Sequence, residues 1–192
     1  MTAPSPTREG TRERILAAAV DLFAEHGFEA TSLQQIADVL PVTKAAVYYH
    51  FRSKDDLLAT LVEPVFADLE ARLQAAQIGK PSPAARRAAL TGFLDGLIAH
   101  HQMIGFITRD PAVRANPVVL ARAERIQDRI DTVLLGADMD EPCRIVASMV
   151  LGSMYSAVVE HGDADPALLR PIVVESVEAM LRTVRRRPKV AH

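Results

Sequence analysis

Residues 31–54, TSLQQIADVLPVTKAAVYYHFRSK, contain two short helical patterns with a proline between them. Thr31 or Ser32 is suited to cap the first helix, because a hydroxyl side chain accepts hydrogen bonds from free amide groups of the first turn. Pro41 lacks a backbone donor and disfavours the helical conformation at Leu40, so the first helix must end there. The apolar residues of this first pattern share one helical face: Leu33, Ile36 and Ala37.

The second pattern begins at Thr43, its predicted N-cap, and its spacing buries Val47 and Phe51. The opposite face is polar and aromatic and holds Thr43, Lys44, Ala45, Tyr48 and Tyr49. Two helices joined by a tight turn form a helix–turn–helix motif, whose second helix lies in the major groove of DNA. The stretch therefore predicts a DNA-binding domain.

The sequence TSLQQIADVLPVTKAAVYYHFRSKDDLL, with TRERILAAAVDLFAEHGFEA before it, closely resembles the DNA-binding domain of TetR-family transcriptional regulators. The resemblance extends from Thr11 to Leu58, and VYYHFRSKDDLL is its most specific part. One position departs from the family pattern, because Pro41 occupies a turn where the family usually has glycine. Proline cannot adopt the positive φ that glycine allows, so this turn must be built differently.

The motif and the resemblance together predict which residues contact DNA. The predicted set is Thr31, Ser32, Gln34, Thr43, Lys44, Ala45, Tyr48, Tyr49, His50 and Lys54. Lys44 and Lys54 are expected on phosphates, whereas Thr43, Ala45 or Tyr48 is expected near base edges. Phosphate contacts position a protein on the duplex, and base contacts give it sequence specificity.

Net charge does not support DNA binding by itself. The chain carries a formal charge of −2, and residues 1–56 contain six Lys or Arg and eight Asp or Glu. The distribution is more favourable, because Lys44, Arg52 and Lys54 cluster around the second helix of the motif. Helix N-termini also bind phosphate without any side-chain charge.

The composition indicates an all-α protein. Its 192 residues are 49% hydrophobic and 24% charged, which is typical of one or two globular domains. The single cysteine, Cys143, excludes an intrachain disulfide framework and favours the reducing cytoplasm. The first ten residues lack a signal pattern, and no apolar run approaches the roughly 20 residues that span a bilayer. We therefore expect a cytoplasmic protein with no membrane partner.

Helix and linker patterns predict the order of the domains. Residues 1–10 are expected to form a disordered arm and residues 188–192 a tail. Between them, residues 11–54 form the three-helix DNA-binding domain with its helix–turn–helix motif. Residues 55–187 form a larger helical domain for ligand binding and dimerisation, with a linker at Gly79–Pro83. Within this larger domain, one helix is predicted from Pro83 to Ile107.

The last two long helices are unusual for a monomer. The final helix carries a broad apolar stripe, and the helix before it contains small residues such as Gly152 and Ser156 among large apolar ones. Small residues allow helix backbones to approach closely. An ordinary intramolecular core would explain this pattern, but the resemblance implies a homodimer in which these helices form a four-helix bundle.

No constellation of residues predicts an enzyme, a metal site or a cofactor. The two metal-suggestive pairs are His100-His101 and Glu160-His161. Adjacent residues point to different sides of a helix, so neither pair forms the i, i+4 arrangement of a helical metal site. Cys143 lies at a helix start, where its thiol is either somewhat activated or simply structural.

Large apolar, aromatic and soft side chains of the second domain suggest a ligand pocket. The predicted lining is Phe66, Phe93, Leu97, His101, Phe106, Ile126, Met149 and Tyr155. Such residues at helical spacing also form ordinary cores, but the resemblance implies a small-molecule effector bound in this domain. The sequence thus predicts a repressor released from a near-palindromic DNA operator by a small apolar or amphipathic ligand. The alternative is a helical small-molecule carrier or sensor whose DNA-binding face has decayed.

Overall fold

The computed structural model describes residues 8–76, 82–136 and 139–185, and these residues form only α-helices and connecting turns. The all-α fold predicted from the sequence is therefore confirmed. The helices are α1 Arg8–His26, α2 Leu33–Asp38, α3 Lys44–His50, α4 Lys54–Ala76, α5 Pro83–Ala99, α6 His101–Arg109, α7 Pro111–Ala115, α8 Pro117–Leu135, α9 Glu141–His161 and α10 Pro166–Arg185. Most of the predicted arm, the first part of the Gly79–Pro83 linker and the tail lie outside the described residues.

The described chain divides into two compact units. The first comprises residues 8–64 and 106–120, and the second comprises residues 65–76, 82–105, 121–136 and 139–185. The first unit is thus larger than the predicted DNA-binding domain of residues 11–54. It includes the first half of α4 and a segment from much later in the chain.

The first unit is built around the end of α1. Gly27 has a φ of 85°, and its amide donates to the Phe23 carbonyl at 2.9 Å, which ends the helix. The next residue, Phe28, folds back so that its ring centroid lies 5.2 Å from that of Phe23. The Phe106 ring stacks on the other side of Phe23 at 5.8 Å. The three rings form the core that α2 and α3 adjoin.

Two charged side chains hold the turn after α1 from opposite sides. The Phe28 amide donates to Asp110 Oδ2 at 2.8 Å, while Asp110 Oδ1 accepts from the amides of Ala112 and Val113 at the start of α7. On the other side, Lys54 Nζ donates to the carbonyls of Phe28 and Glu29 at 2.7 and 3.0 Å. A single carboxylate therefore caps α7 and fixes a turn 82 residues away in sequence.

In the second unit, α5, α9 and α10 pack against one another. The prediction of one helix from Pro83 to Ile107 is wrong, because the chain leaves the helical conformation at His100 (φ −114°, ψ 23°). The His100 ring reaches α4, where its Nε2 lies 3.1 Å from Asp68 Oδ2. The break between α5 and α6 thus coincides with a contact between His100 and α4.

Helix α9 contradicts the expectation from the sequence that no apolar segment is long enough to span a bilayer. Within the described residues, it is the one helix that is long and apolar enough to cross a membrane by length and composition, with 21 residues and a mean hydropathy of 1.4. The core helix of a soluble protein satisfies the same criterion. Its buried side holds Ala147, Val150, Leu151, Met154 and Val158.

We expect Asp110→Ala to lower the free energy of unfolding by about 2–3 kcal/mol. The change removes an N-cap and leaves the partly buried Phe28 amide without its acceptor. Urea unfolding of Ser53→Ala is the matched control, because Ser53 caps α4 through a single bond to the Asp56 amide. That variant should lose only about 1 kcal/mol. An equal loss in both variants would contradict the role of Asp110 in holding the turn.

A second variant separates the two functions of Asp110. Asp110→Asn keeps one oxygen for the α7 amides but turns an amide donor toward the Phe28 N–H. We therefore expect Asp110→Asn to be destabilised although its cap is intact. If Asp110→Asn has the same free energy of unfolding as the wild-type protein, the bond to Phe28 contributes little.

Candidate nucleic-acid interface

The turn between α2 and α3 accommodates Pro41 without a positive φ. The Val39 amide donates to the Gln35 carbonyl at 3.3 Å and the Leu40 amide donates to Ala37 at 3.2 Å, which tightens the end of α2. Among the described residues, only Gly27 and Gly136 have positive φ values. The turn is therefore built differently from a glycine turn, as the sequence predicted.

Helix α2 begins at a capping box. The Gln35 amide donates to Ser32 Oγ at 3.2 Å, and the Ser32 amide donates to Gln35 Oε1 at 2.8 Å. Of the two candidate caps, the structure thus selects Ser32. Thr31 is 2% exposed, and its hydroxyl donates to the Gly27 carbonyl at 2.9 Å. The side chain of Thr31 lies inside the first unit and does not face the surface, which corrects its place in the predicted DNA-binding set.

Helix α3 separates anchoring residues from surface residues. Val47 is fully buried and Phe51, which follows the helix, is 1% exposed. Thr43 caps the helix by accepting from the Ala46 amide at 3.2 Å. Tyr48 and Tyr49 are 45% and 63% exposed, so their rings lie largely outside the core that stabilises the unit. A short helix held by two buried residues therefore presents an aromatic surface.

Cations accompany these aromatic rings. Lys44 Nζ lies 5.6 Å from the centroid of the Tyr48 ring, and both residues are exposed. Arg52 is also exposed, just after the helix. An aromatic ring with an ammonium group over it combines a surface for apolar base contacts with a charge for phosphate. The N-terminus of α3 adds free amide donors beside Lys44.

The remaining residues of the predicted DNA-binding set differ in exposure and in hydrogen-bond partners. Ala45 is exposed, and His50 is half-buried with its ring 5.4 Å from that of Tyr49. Gln34 is half-buried and donates to Asp38 Oδ1 at 2.6 Å. Lys54 is engaged by the carbonyls of the α1 turn and lies 4.4 Å from the Phe28 ring centroid. Its predicted contact with phosphate stays a prediction, since it requires the exchange of these internal bonds.

Sequence reasoning missed Asp110 and Asn116 as supports of this unit. Asn116 is 8% exposed and donates to Asp55 Oδ1, in the first turn of α4, at 2.7 Å. The only signal in the sequence was local, because each residue precedes a proline at a helix start. Their distant partners leave no periodic pattern.

Five of the predicted ligand residues lie inside the second unit. Phe66, Phe93, Leu97 and Ile126 are each at most 4% exposed. Tyr155 is half-buried, and burial together with the nearby Asp131 carboxylate raises its pKa to about 12. Burial also raises the pKa of Asp131 itself, which accepts a hydrogen bond from Gln127 at 2.7 Å.

The other three predicted ligand residues do not share this interior, although two of them also belong to the second unit. Met149 is 57% exposed on the outer side of α9. Phe106 belongs to the first unit, where it stacks on Phe23. His101 Nε2 lies 3.0 Å from Asp163 Oδ1, whereas the ring of its neighbour His100 reaches Asp68. The two histidines therefore point in different directions, as expected for adjacent helical residues.

The described residues contain no group of three or more His, Cys, Asp or Glu side chains arranged to hold a metal ion. The Cys143 thiol is half-buried at the start of α9. A hydrogen bond with Asp140 and burial raise the pKa of this thiol, so the thiolate is disfavoured. The structural interpretation of Cys143 fits this environment better than an activated thiol.

Known proteins resemble the chain in sequence and in fold. Residues 15–61 match the family model described as bacterial regulatory proteins, tetR family. The chain is 28% identical to the HTH-type transcriptional regulator TcmR of Streptomyces glaucescens over 70% of this chain and 64% of that protein. It is 39% identical to the HTH-type transcriptional repressor BepR of Brucella suis biovar 1 over 38% of this chain and 35% of that protein.

The chain thus spans less than two thirds of the length of each of these relatives. Among solved structures, a TetR-like transcriptional regulator from Rhodococcus sp. RHA1 is similar with a TM-score of 0.68 and 22% identity. That likeness covers 97% of this chain and all of the other, and it shows the fold. These relatives are named as transcriptional regulators or repressors. Residues 15–61, which run from α1 into α4, are thus similar to the tetR family of bacterial regulatory proteins.

Proposed function

We propose that this protein is a cytoplasmic transcriptional repressor that binds a near-palindromic DNA operator as a homodimer and is released by a small molecule. The observation that carries the proposal is the outer face of α3. Two buried anchors, Val47 and Phe51, hold the helix, and its exposed side presents Tyr48, Tyr49 and Lys44. Exposed polar and aromatic side chains beside a lysine suit a recognition helix, whose outer face contacts bases and phosphates in the major groove.

The residues proposed to contact DNA divide by chemistry. Lys44 and the free amides at the start of α3 suit phosphate groups. Thr43, Ala45 and Tyr48 are the candidates for base edges, with a thymine methyl group as an apolar partner for Ala45. A repressor reads DNA as a dimer when two such helices lie about one helical turn apart, roughly 34–36 Å. The name of the relative BepR favours repression over activation.

The outer sides of α9 and α10 support the homodimer. Ile145 and Met149 on α9 are 55% and 57% exposed, and Leu168 and Ile172 on α10 are 60% and 56% exposed. Large apolar side chains clustered on one surface mark an interaction site. Gly152 and Ser156 are exposed on the same helix, where small side chains allow a second helix to approach closely. Two copies of this helix pair would form a four-helix bundle.

The alternative of a carrier with a decayed DNA-binding face has lost its main argument. A turn disrupted by Pro41 would favour a decayed DNA-binding face, but the turn accommodates Pro41 with negative φ values throughout. Helix α3 keeps its cap at Thr43 and its buried anchors. No observation favours the carrier over the repressor.

The DNA proposal is tested by the salt dependence of binding to the DNA upstream of the chain's own gene. Each phosphate contact that is lost lowers the slope of log K against log salt concentration by about 0.9. Lys44→Ala should therefore weaken binding to all sequences alike and reduce the slope by about 1.8 for a dimer. Gel-shift titrations at several salt concentrations measure both effects.

Arg114→Ala is the matched control. Arg114 is also an exposed cation of the first unit, but it lies on α7 and not on the recognition helix. Its loss changes the net charge equally. If Arg114→Ala and Lys44→Ala change the slope by the same amount, the effect is one of overall charge and the assignment of Lys44 is wrong.

The dimer proposal is tested by Gly152→Phe. A Cβ atom added at Gly152 meets no other atom within 4 Å, so the monomer itself has room for the new side chain. In a helix–helix interface the ring would overpack the contact at a cost of about 1–3 kcal/mol or more. Sedimentation at micromolar concentration should then show monomers.

Thr132→Phe, at an exposed position of α8, is the control for a new surface ring. It should leave the dimer intact. A wild-type protein that is monomeric at the same concentration would remove the proposal, as would a Gly152→Phe variant that remains fully dimeric.

A further inference from the structure

The second unit contains a partly open cavity of about 240 Å³ at the start of α5. Its lining comes from α5, α8 and α10: Pro83, Arg86, Arg87, Leu90, Leu134, Glu178, Leu181 and Arg182. None of the residues predicted from the sequence to bind a ligand belongs to it. The cavity is therefore a different site from the ligand pocket predicted from the sequence.

Three arginines and one glutamate give this cavity a formal charge of +2. Arg87 Nη1 forms an ion pair with Glu178 Oε1, so that carboxylate is already engaged. The Nε atom of Arg86 is buried and has no hydrogen-bond partner among the described residues. A buried donor without an acceptor costs free energy, and a charged donor costs more. An anion in the cavity would offset the net positive charge of its lining.

The rest of the wall is apolar. Leu90, Leu134 and Leu181 are each at most 4% exposed, and Pro83 completes this side of the cavity. Since the leucines are already almost fully buried, the apolar surface open to a guest comes mainly from Pro83 and the aliphatic stems of the arginines. A hydrocarbon body gains about 25 cal/mol for each Å² of this surface that it buries. The volume is below the roughly 300–1,000 Å³ of pockets for drug-sized molecules, so the guest must be smaller.

We propose that this cavity binds a small amphipathic carboxylate, such as a medium-chain or aryl carboxylic acid. Its carboxylate accepts from Arg86 and Arg182, and its hydrocarbon body lies against Pro83 and the arginine stems, above the buried leucines. A planar guanidinium matches a carboxylate with two parallel hydrogen bonds. An inorganic anion would satisfy the charge but would leave the apolar wall uncovered. The guest therefore needs both a negative head and an apolar body.

This inference deepens the proposed function, because it names a chemical class for the effector, and it rests on that function for its regulatory consequence. Binding itself does not require DNA. The site and the regulation can therefore be tested separately on the full chain.

Isothermal titration calorimetry with sodium octanoate and sodium benzoate tests the site in the absence of DNA. We expect at least one of these to bind, and 1-octanol, which lacks the charge, to bind at least tenfold more weakly than octanoate. Arg86→Met keeps the length and the apolar stem of the side chain but removes its charge. It should weaken carboxylate binding at least tenfold, as expected for the loss of a charge-assisted hydrogen bond.

Two further variants keep the test decisive. Arg182 is exposed, so Arg182→Met should fold normally even if Arg86→Met does not. Arg182→Met should also weaken carboxylate binding. Arg129→Met removes an equal charge from an exposed position on α8 outside the cavity and should leave binding unchanged. The proposal is overturned if neither carboxylate binds, if Arg129→Met weakens binding as much as the cavity variants, or if inorganic phosphate competes equally well.

A gel shift with octanoate or benzoate separates this site from the proposed function. Carboxylate binding that depends on Arg86 and Arg182 supports the site whatever happens to the DNA complex. If the bound carboxylate leaves operator affinity unchanged, the site stands, and its role as the effector site is wrong. Linkage requires that any loss of DNA affinity be matched by an equal loss of carboxylate affinity on DNA.

Discussion

The hydrogen bonds of the turn after α1 are the constraint on which the first unit depends. Gly27 reverses the chain, Asp110 accepts from the Phe28 amide, and Lys54 donates to the carbonyls of Phe28 and Glu29. These bonds satisfy the Phe28 amide and the carbonyls of Phe28 and Glu29, which lie beside the aromatic side chains of the core. They also fix the point from which α2 departs, since Thr31 is tied to the Gly27 carbonyl. The orientation of α3 therefore depends on residues that never approach its exposed face.

The recognition helix itself is short, and its own hydrogen bonds cannot hold it. An isolated helix of seven residues is unstable in water, because few bonds offset the cost of nucleation. Val47 and Phe51 provide the missing stabilisation by burial, and Arg12 lies over the Phe51 ring at 5.2 Å. Lys44, Tyr48 and Tyr49 lie outside this buried anchor and remain exposed. The formal charge of −2 on the whole chain is compatible with the proposed DNA-binding face, since charge matters locally on one short helix.

Sequence patterns predicted the features that depend on neighbouring residues. The N-cap at Thr43 and the burial of Val47 and Phe51 follow from side-chain chemistry and spacing within two turns, and the structure has each of them. Contacts between residues far apart in the sequence were not predicted. Lys54 was assigned to phosphate because it is a lysine near the motif, but its partners in the fold lie 26 and 25 residues earlier. The break at His100 and the outward position of Met149 likewise depend on packing between helices, which helical periodicity does not reveal.

The composition of α9 follows from the proposed assembly. A helix that packs on one side of a soluble monomer needs a single apolar stripe, and its other side is normally polar. Helix α9 instead carries Ile145 and Met149 on its exposed side in addition to its buried core residues, which gives it the hydropathy of a membrane span. Gly152 and Ser156 on the exposed side argue for a close helix partner and against lipid alone, because small residues serve helix–helix approach. Helix α10 repeats the pattern with Leu168 and Ile172. A second copy of the same pair covers both sets of apolar residues at once, so the proposed homodimer explains the two helices by one contact.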